Sequence, residues 1–400
     1  MQNLQLRSIN TSIIIFGIAI ITTSFFSYFG WDKTNGGRIL KVIDLSIILY
    51  YIQHLKLIRK EKGLHFTKET SHIFFYSYFS IIGGFLIYGN PPINSAIGGL
   101  DFAFIFIYFI LYFNQVQEKQ LAKIMLVLTI IITSILLIQQ FTFPLAPFGL
   151  KSIDDVQNPN DIIEIRNGLI RYRIVSHTFL LFTAFFYWEK LSKQIKITSF
   201  IAFGIAILGI YLLLTKQLIA TTLITIFISV FLIRNTKIKI IVFCLLAILC
   251  TVGFIYKDIL FSEMIDSAKE QASEDDIRVL SAYFFLDKIF SNPIGLILGN
   301  GHTPLLPQWG EKNGYWVSDV GFIGELFLYG VIYLSVYIQI LWKAYKYRRL
   351  LPLYIKMFFL STFFISIMIF PYRMNCEFLT WAIVLYICDL HINKSPLRYS

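Results

Sequence analysis

Arg166, Arg171 and Arg173 close one polar stretch of this chain, and Arg278 lies within another. Arginine stays charged, and its planar fork makes two parallel hydrogen bonds, so such a set suits a phosphate or diphosphate at a membrane surface. The plainer alternative is that interfacial arginines snorkel to lipid headgroups. Arg278 follows the acidic run Glu274-Asp275-Asp276, where the plainer alternative is a surface ion pair at a helix start, worth little.

Two further residues could move a proton. His302 lies in the turn-rich run Gly-Asn-Gly-His-Thr-Pro, and Asp319 stands at the mouth of the apolar run that contains GFIGELFLYG. Either could act as general base toward a hydroxyl. A solvated loop would also explain His302, and a helix N-cap would also explain Asp319. Glu325 sits two turns beyond Asp319, placed to line a cavity or to pair with Lys356. Asp44, Asp101, Lys216 and Glu377 also fall in or beside apolar segments, where an ionised group costs roughly 3 kcal/mol at the bilayer centre.

Composition says what must hold these groups. Hydrophobic residues make up 56% of the chain and charged residues 15%. A bilayer core of about 30 Å needs roughly 20 apolar residues of helix. Apolar segments fall near 12–29, 39–58, 71–89, 96–114, 121–141, 174–189, 197–214, 217–233, 238–256, 319–341, 353–370 and 378–391, about twelve in all. The alternating segments of about ten residues that mark a membrane β-barrel are absent. The chain reads as an all-α, polytopic membrane protein with one transmembrane domain over 1–400. Its first segment is long for a signal-peptide core and lacks a small-x-small cleavage pattern, so it reads as a retained anchor.

Loop charges orient the segments. RKEKGLHFTK, EKLSKQIK, RNTKIK and WKAYKYRR follow the second, sixth, eighth and tenth segments, with QEKQLAK a weaker member after the fourth. GNPPINS carries no charge, and the seventh and eleventh loops carry only Lys216 and Arg373; WDKTNGGR is a mild exception. Lys and Arg favour the cytoplasmic side, which places both termini there and the odd loops outside. Two outside loops are long, about 142–173 and 257–318, and long loops are usually functional. Within the second, 277–290 reads as a short helix against the membrane surface. Asn292-Pro293 ends that helix, and Gly295, Gly299 and Gly301 permit tight turns.

The net charge of +11 sits in short loops, as topology signals do, which excludes nucleic acid as a partner. Cys244, Cys250 and Cys388 lie in apolar segments and only Cys376 falls in a loop, so neither a disulfide framework nor a metal site is implied. The chain has no P-loop, dinucleotide fingerprint, HExxH or GxSxG. Any chemistry must therefore use a substrate already activated and delivered in the membrane.

Three stretches carry a resemblance. They are RYRIVSHTFLL, DDIRVLSAYFFLDKIFSNPIGLILGNGHTP and SDVGFIGELFLYGVIYL. In this order and topology they resemble the O-antigen polymerase and O-antigen ligase superfamily of Wzy-type enzymes, over about a quarter of the chain. The resemblance implies a GT-C-like helical fold and an inverting, metal-independent and cofactor-free glycosyl transfer. The donor would be an undecaprenyl-diphosphate-linked oligosaccharide in the bacterial inner membrane, acted on at the periplasmic face. By that resemblance Arg173 and Arg278 grip the departing diphosphate, and Arg166, Arg171, Glu325 and His177 belong to the diphosphate and glycan site. Asp319 stands where many members have a histidine, so the base is open between Asp319 and His302, and the ligase branch is disfavoured. Membrane lipid and a chain-length regulator protein are the further partners implied.

Overall fold

A computed structural model describes residues 2–23, 33–142, 164–166, 169–171, 177–233, 277–301, 314–370 and 374–394, with isolated positions between 236 and 255. In chain order the described helices are α1 (Gln2–Thr22), α2 (Lys33–Lys60), α3 (Thr67–Ser77), α4 (Phe79–Tyr88) and α5 (Pro92–Gly99). A 3-10 helix, Leu100–Phe106, leads into α6 (Ile107–Phe113), and α7 (Glu118–Thr142) follows. Then come the short strands β1 (Glu164–Arg166) and β2 (Leu169–Arg171), and the helices α8 (His177–Lys193), α9 (Ile197–Leu212) and α10 (Lys216–Leu232). The last set is α11 (Ile277–Ser291), α12 (Pro293–Leu298), a 3-10 turn Val317–Val320, α13 (Gly321–Lys346), α14 (Leu353–Ile365) and α15 (Asn375–Lys394).

Among the described residues, Thr67–Tyr88, Pro92–Phe113, Glu118–Thr142, Val317–Lys346 and Asn375–Lys394 are helical stretches long and apolar enough to cross a bilayer. Ser8–Thr22, Ile197–Leu212, Lys216–Leu232 and Leu353–Ile365 are shorter apolar helices. The molecule is an all-α membrane protein. Most of the segment expected at 238–256 lies outside the described residues, as do 24–29 of the first. Two expected spans are composite: 71–89 is α3 and α4 joined at Tyr78, and 96–114 runs through α5, the 3-10 helix and α6.

The chain folds into two compact units that interleave in sequence. One comprises Met1–Ile39, Val116–Lys269 and Pro352–Ser361, and the other Leu40–Gln115, Glu270–Leu351 and Thr362–Ser400. In the first unit α7, α8 and α9 pack together. Thr129 donates to Thr183 across α7 and α8 at 2.8 Å. A Cβ at Gly209 would stand 2.4 Å from the Thr133 hydroxyl, so a glycine there lets α9 approach α7 closely. Glu189 is buried in α8, and its Oε2 accepts the Tyr354 backbone N–H at 2.7 Å, satisfying an orphan donor at the start of α14.

In the second unit α15 is buried on nearly every side, from Asn375 through Asp389, as a helix apolar all round should be. The 3-10 helix and α6 pack against it, with Phe102 and Phe378 ring centroids 4.7 Å apart. Glu377 turns back to accept the Met374 N–H at 3.0 Å, so this expected buried charge is a helix cap. Asp389 is fully buried; it accepts the Tyr108 hydroxyl and, at 3.1 Å, the His65 N–H. Asp389→Ala therefore strands the buried Tyr108 hydroxyl and the part-buried His65 N–H, and is expected to cost about 3 kcal/mol. A thermal melt of the detergent-purified variant checks this, and an unchanged melting temperature would contradict it.

Candidate functional site

The first long loop contains a feature that helical periodicity does not reveal. β1 and β2 pair antiparallel, with Glu164 opposite Arg171, Ile165 opposite Ile170 and Arg166 opposite Leu169. This register puts positions 164, 166, 169 and 171 on one face of the ribbon, because cross-strand partners and alternate residues share a face. Arg166 and Arg171 are therefore placed together. The ribbon is tied to α7 by Gln140, whose amide both donates to the Ile170 carbonyl (2.6 Å) and accepts the Ile170 N–H (2.8 Å). The local signal was Asn167-Gly168 between Ile165 and Ile170, a strong hairpin signature. Arg173 lies outside the described residues. His177 is the first residue of α8, in the same unit as the hairpin.

In the second unit, Arg278 is half-buried in the first turn of α11. A helix start already carries partial positive charge on its unpaired N–H groups, so the arginine and the helix end favour an anion together. Arg278 lies on the same face of α11 as the buried residues Ser281, Phe285 and Ile289, which follow it at helical spacing. That face packs on Val317, Val320, Phe327 and Leu328. The segment entering the 3-10 turn follows α11: Gly314 lies beside Ile277, and the Tyr315 ring is 5.3 Å from Phe284. The expected surface helix therefore has a protein-facing side, set by a row of residues four apart.

Asp319 sits half-buried in the 3-10 turn, where its Oδ1 accepts the Ser318 hydroxyl at 3.1 Å. It does not cap α13. Val320 holds the N-cap position without a side-chain bond, and carbonyls take over the role. The Gly321 and Phe322 N–H groups donate to Met368 and Ser366 at the end of α14, each at 3.0 Å. The cap reading is thereby corrected, and the Asp319 carboxylate keeps accepting capacity for other work. Glu325, on the first half of α13, is fully buried.

Between Arg278 and Asp319 in sequence runs the glycine-rich stretch, and its geometry differs from the expectation in one respect. Asn292 ends α11 and also starts α12, its side chain accepting the Ile294 and Gly295 N–H groups at 3.0 and 3.3 Å. Gly295 is therefore a buried helical residue, not a turn. Gly299 and Gly301 do adopt positive φ, 91° and 77°. They deliver Asn300 into α13 where that helix breaks at Gly330 (φ 73°, ψ 175°). The Phe327 carbonyl accepts from the Asn300 N–H (2.9 Å) and side-chain amide (2.8 Å), and the Leu328 carbonyl from the Gly301 N–H (3.0 Å). A broken helix at membrane depth needs such partners, since lipid supplies none. His302, the next residue, lies outside the described residues.

Two of the charges expected in or beside apolar segments, Asp44 and Asp101, share one cation. Lys41 in α2 bonds Asp101 at 2.6 Å and lies 3.7 Å from fully buried Asp44. Among the described residues no cluster of three His, Cys, Asp or Glu side chains could hold a metal ion. No protein-family model matches the chain, and no curated protein matches it. What the fold and these sites define is a helical membrane protein with an arginine-bearing hairpin in one unit and an arginine–aspartate pair of elements in the other.

Proposed function

We propose that the chain is a polymerase of lipid-linked polysaccharide repeat units, of the Wzy type, in the bacterial cytoplasmic membrane. In this reading it has about twelve spans, a GT-C-like architecture, both termini in the cytoplasm and its site on the outer face. The growing glycan, carried on undecaprenyl diphosphate, moves to the non-reducing end of an incoming lipid-linked unit. The acceptor hydroxyl attacks the anomeric carbon, the bond to the diphosphate breaks with inversion, and the hydroxyl proton passes to a base. Arg173 and Arg278 neutralise the leaving diphosphate, the kind of electrostatic contribution that usually dominates such steps. Arg166, Arg171, His177 and Glu325 belong to the surrounding diphosphate and glycan site. Asp319 is the first choice of base and His302 the second.

One observation carries the reading: α11, opened by Arg278, packs on the turn that bears Asp319. A cation fit for a diphosphate and a carboxylate fit for a proton thus sit on adjoining elements at the head of an apolar helix. An O-antigen ligase would use the same donor with lipid A core as acceptor. A lipid-linked oligosaccharide flippase is a second reading, favoured by the break in α13 at Gly330, since transporters use broken helices at their sites. Against it, the Phe327 and Leu328 carbonyls at this break are taken by Asn300 and Gly301, where a transporter would offer them to cargo.

Arg173→Ala and Arg278→Ala, made separately, test the assignment on a gel of surface polysaccharide. The expected result is loss of the long-chain ladder with single repeat units still displayed. Loss of single units as well would point to the ligase or flippase. An unchanged ladder would sink the arginine roles.

A further inference from the structure

One end of the second unit gathers basic side chains from segments far apart in sequence. The loop after α2 is stitched to the C-terminal ends of α13 and α15. Lys343 donates to the His65 carbonyl (2.5 Å) and pairs with buried Glu69 (2.8 Å). Asn393 donates to the Gly63 carbonyl (2.8 Å), and the His65 ring meets Tyr347 edge-on at 5.7 Å. These internal contacts leave Arg59, Lys60, Lys68, Lys346, Arg348 and Arg349 exposed around one surface. Glu61 is the exposed acid among them.

Two helices lead to this surface along apolar stripes. In α2, Leu45, Leu49 and Ile52 are 50%, 58% and 58% exposed, and the same face continues to Lys56 and Arg59. In α13, Ile338 and Trp342 are 59% and 68% exposed, and the face continues through Tyr345 to Arg349. Steps of three and four residues keep each series on one side of its helix. Each stripe thus passes from apolar to basic, in α13 by way of aromatic residues, with Arg348 lying over the Tyr345 ring at 4.1 Å. Aromatic rings favour headgroup level, and clustered Lys and Arg beside a span attract anionic headgroups.

We propose that this end of the second unit is a binding site for anionic phospholipid, which it holds in preference to zwitterionic lipid. The basic residues take the headgroup phosphates, and the stripes of α2 and α13 take the acyl chains. Free phosphate would use the first feature and leave the second without a role. The inference is independent of the polymerase reading, because it needs only that these helices lie in a bilayer.

The test uses the full chain in nanodiscs of equal phosphatidylglycerol and phosphatidylcholine, released into detergent, with retained lipid counted by native mass spectrometry. Wild type is expected to retain phosphatidylglycerol over phosphatidylcholine by about tenfold, and the Arg59→Gln, Lys60→Gln, Lys68→Gln, Lys346→Gln, Arg348→Gln, Arg349→Gln variant to lose that preference. A variant exchanging Arg and Lys at the six positions should keep it, and raised salt should weaken it in wild type, so the proposal stays testable if the glutamine variant fails to fold. Equal retention of the two lipids by wild type overturns the proposal, as does a folded glutamine variant that still prefers phosphatidylglycerol. Displacement of the lipid by excess inorganic phosphate would also overturn it, reducing the surface to a phosphate site.

Discussion

Gly330→Ala is expected to leave little folded protein. Gly330 holds φ 73° and ψ 175°, a combination almost confined to glycine, and forcing a side chain into it costs of order 1–3 kcal/mol. A Cβ there would also stand 2.4 Å from the Ile297 carbonyl oxygen and 2.5 Å from the Gly299 nitrogen. Those neighbours are backbone, so relief requires the 295–301 stretch to withdraw. Withdrawal strands the Phe327 and Leu328 carbonyls, whose partners are Asn300 and Gly301. Together these costs reach ~4 kcal/mol or more, in the range reserved for severe mutations. The apparent melting temperature in detergent should fall by about 10 °C, or the variant should not purify as a single species. Gly204→Ala is the control: nothing lies within 4 Å of a Cβ there, so its effect should stay within about 1 kcal/mol. A Gly330→Ala protein that melts like wild type would show that the break in α13 is not needed.

The second large effect concerns the base. Asp319→Asn preserves shape and can still accept the Ser318 hydroxyl, and Asp319 does not cap α13. Its removal should therefore spare folding and act on chemistry. If Asp319 takes the acceptor proton, glycan transfer should slow by roughly 10²–10⁴-fold, read as loss of the long-chain ladder at unchanged protein level. His302→Ala made alongside separates the two candidates. A normal ladder from Asp319→Asn with a lost ladder from His302→Ala would move the role to His302. Normal ladders from both would remove general-base catalysis from the proposed reaction.

Much of the helical frame was legible in the residues. The 121–141, 197–214 and 378–391 segments became α7, α9 and α15 with ends moved by a few residues, and 277–290 became α11. A helix satisfies its own backbone, so an apolar block of adequate length declares it locally. The same locality explains what was read differently. Asp319 before an apolar run looks like an N-cap, yet carbonyls from Ser366 and Met368 already occupy those N–H groups. Gly295 sits in a turn-rich run, yet its Cβ position lies 2.6 Å from the Asn300 side chain, and that close approach is why a glycine serves there. The hairpin bearing Arg166 and Arg171 was within reach through Asn167-Gly168, but its anchor, Gln140, was not.

The sequence by itself determined that this chain belongs in a membrane, which blocks are helical, and that arginines gather in polar stretches between them. Those properties follow from composition and from periodicities of a few residues. Only the tertiary structure decided that α13 breaks at Gly330, that Asn300 fills the break, and that Lys41 joins Asp101 across 60 residues of chain. It also decided that α11 faces the Asp319 turn and that the basic ends of α2 and α13 share one surface. The physical reason is common to all of these. A buried carbonyl or charge must find a partner, and which partner it finds depends on how the helices pack.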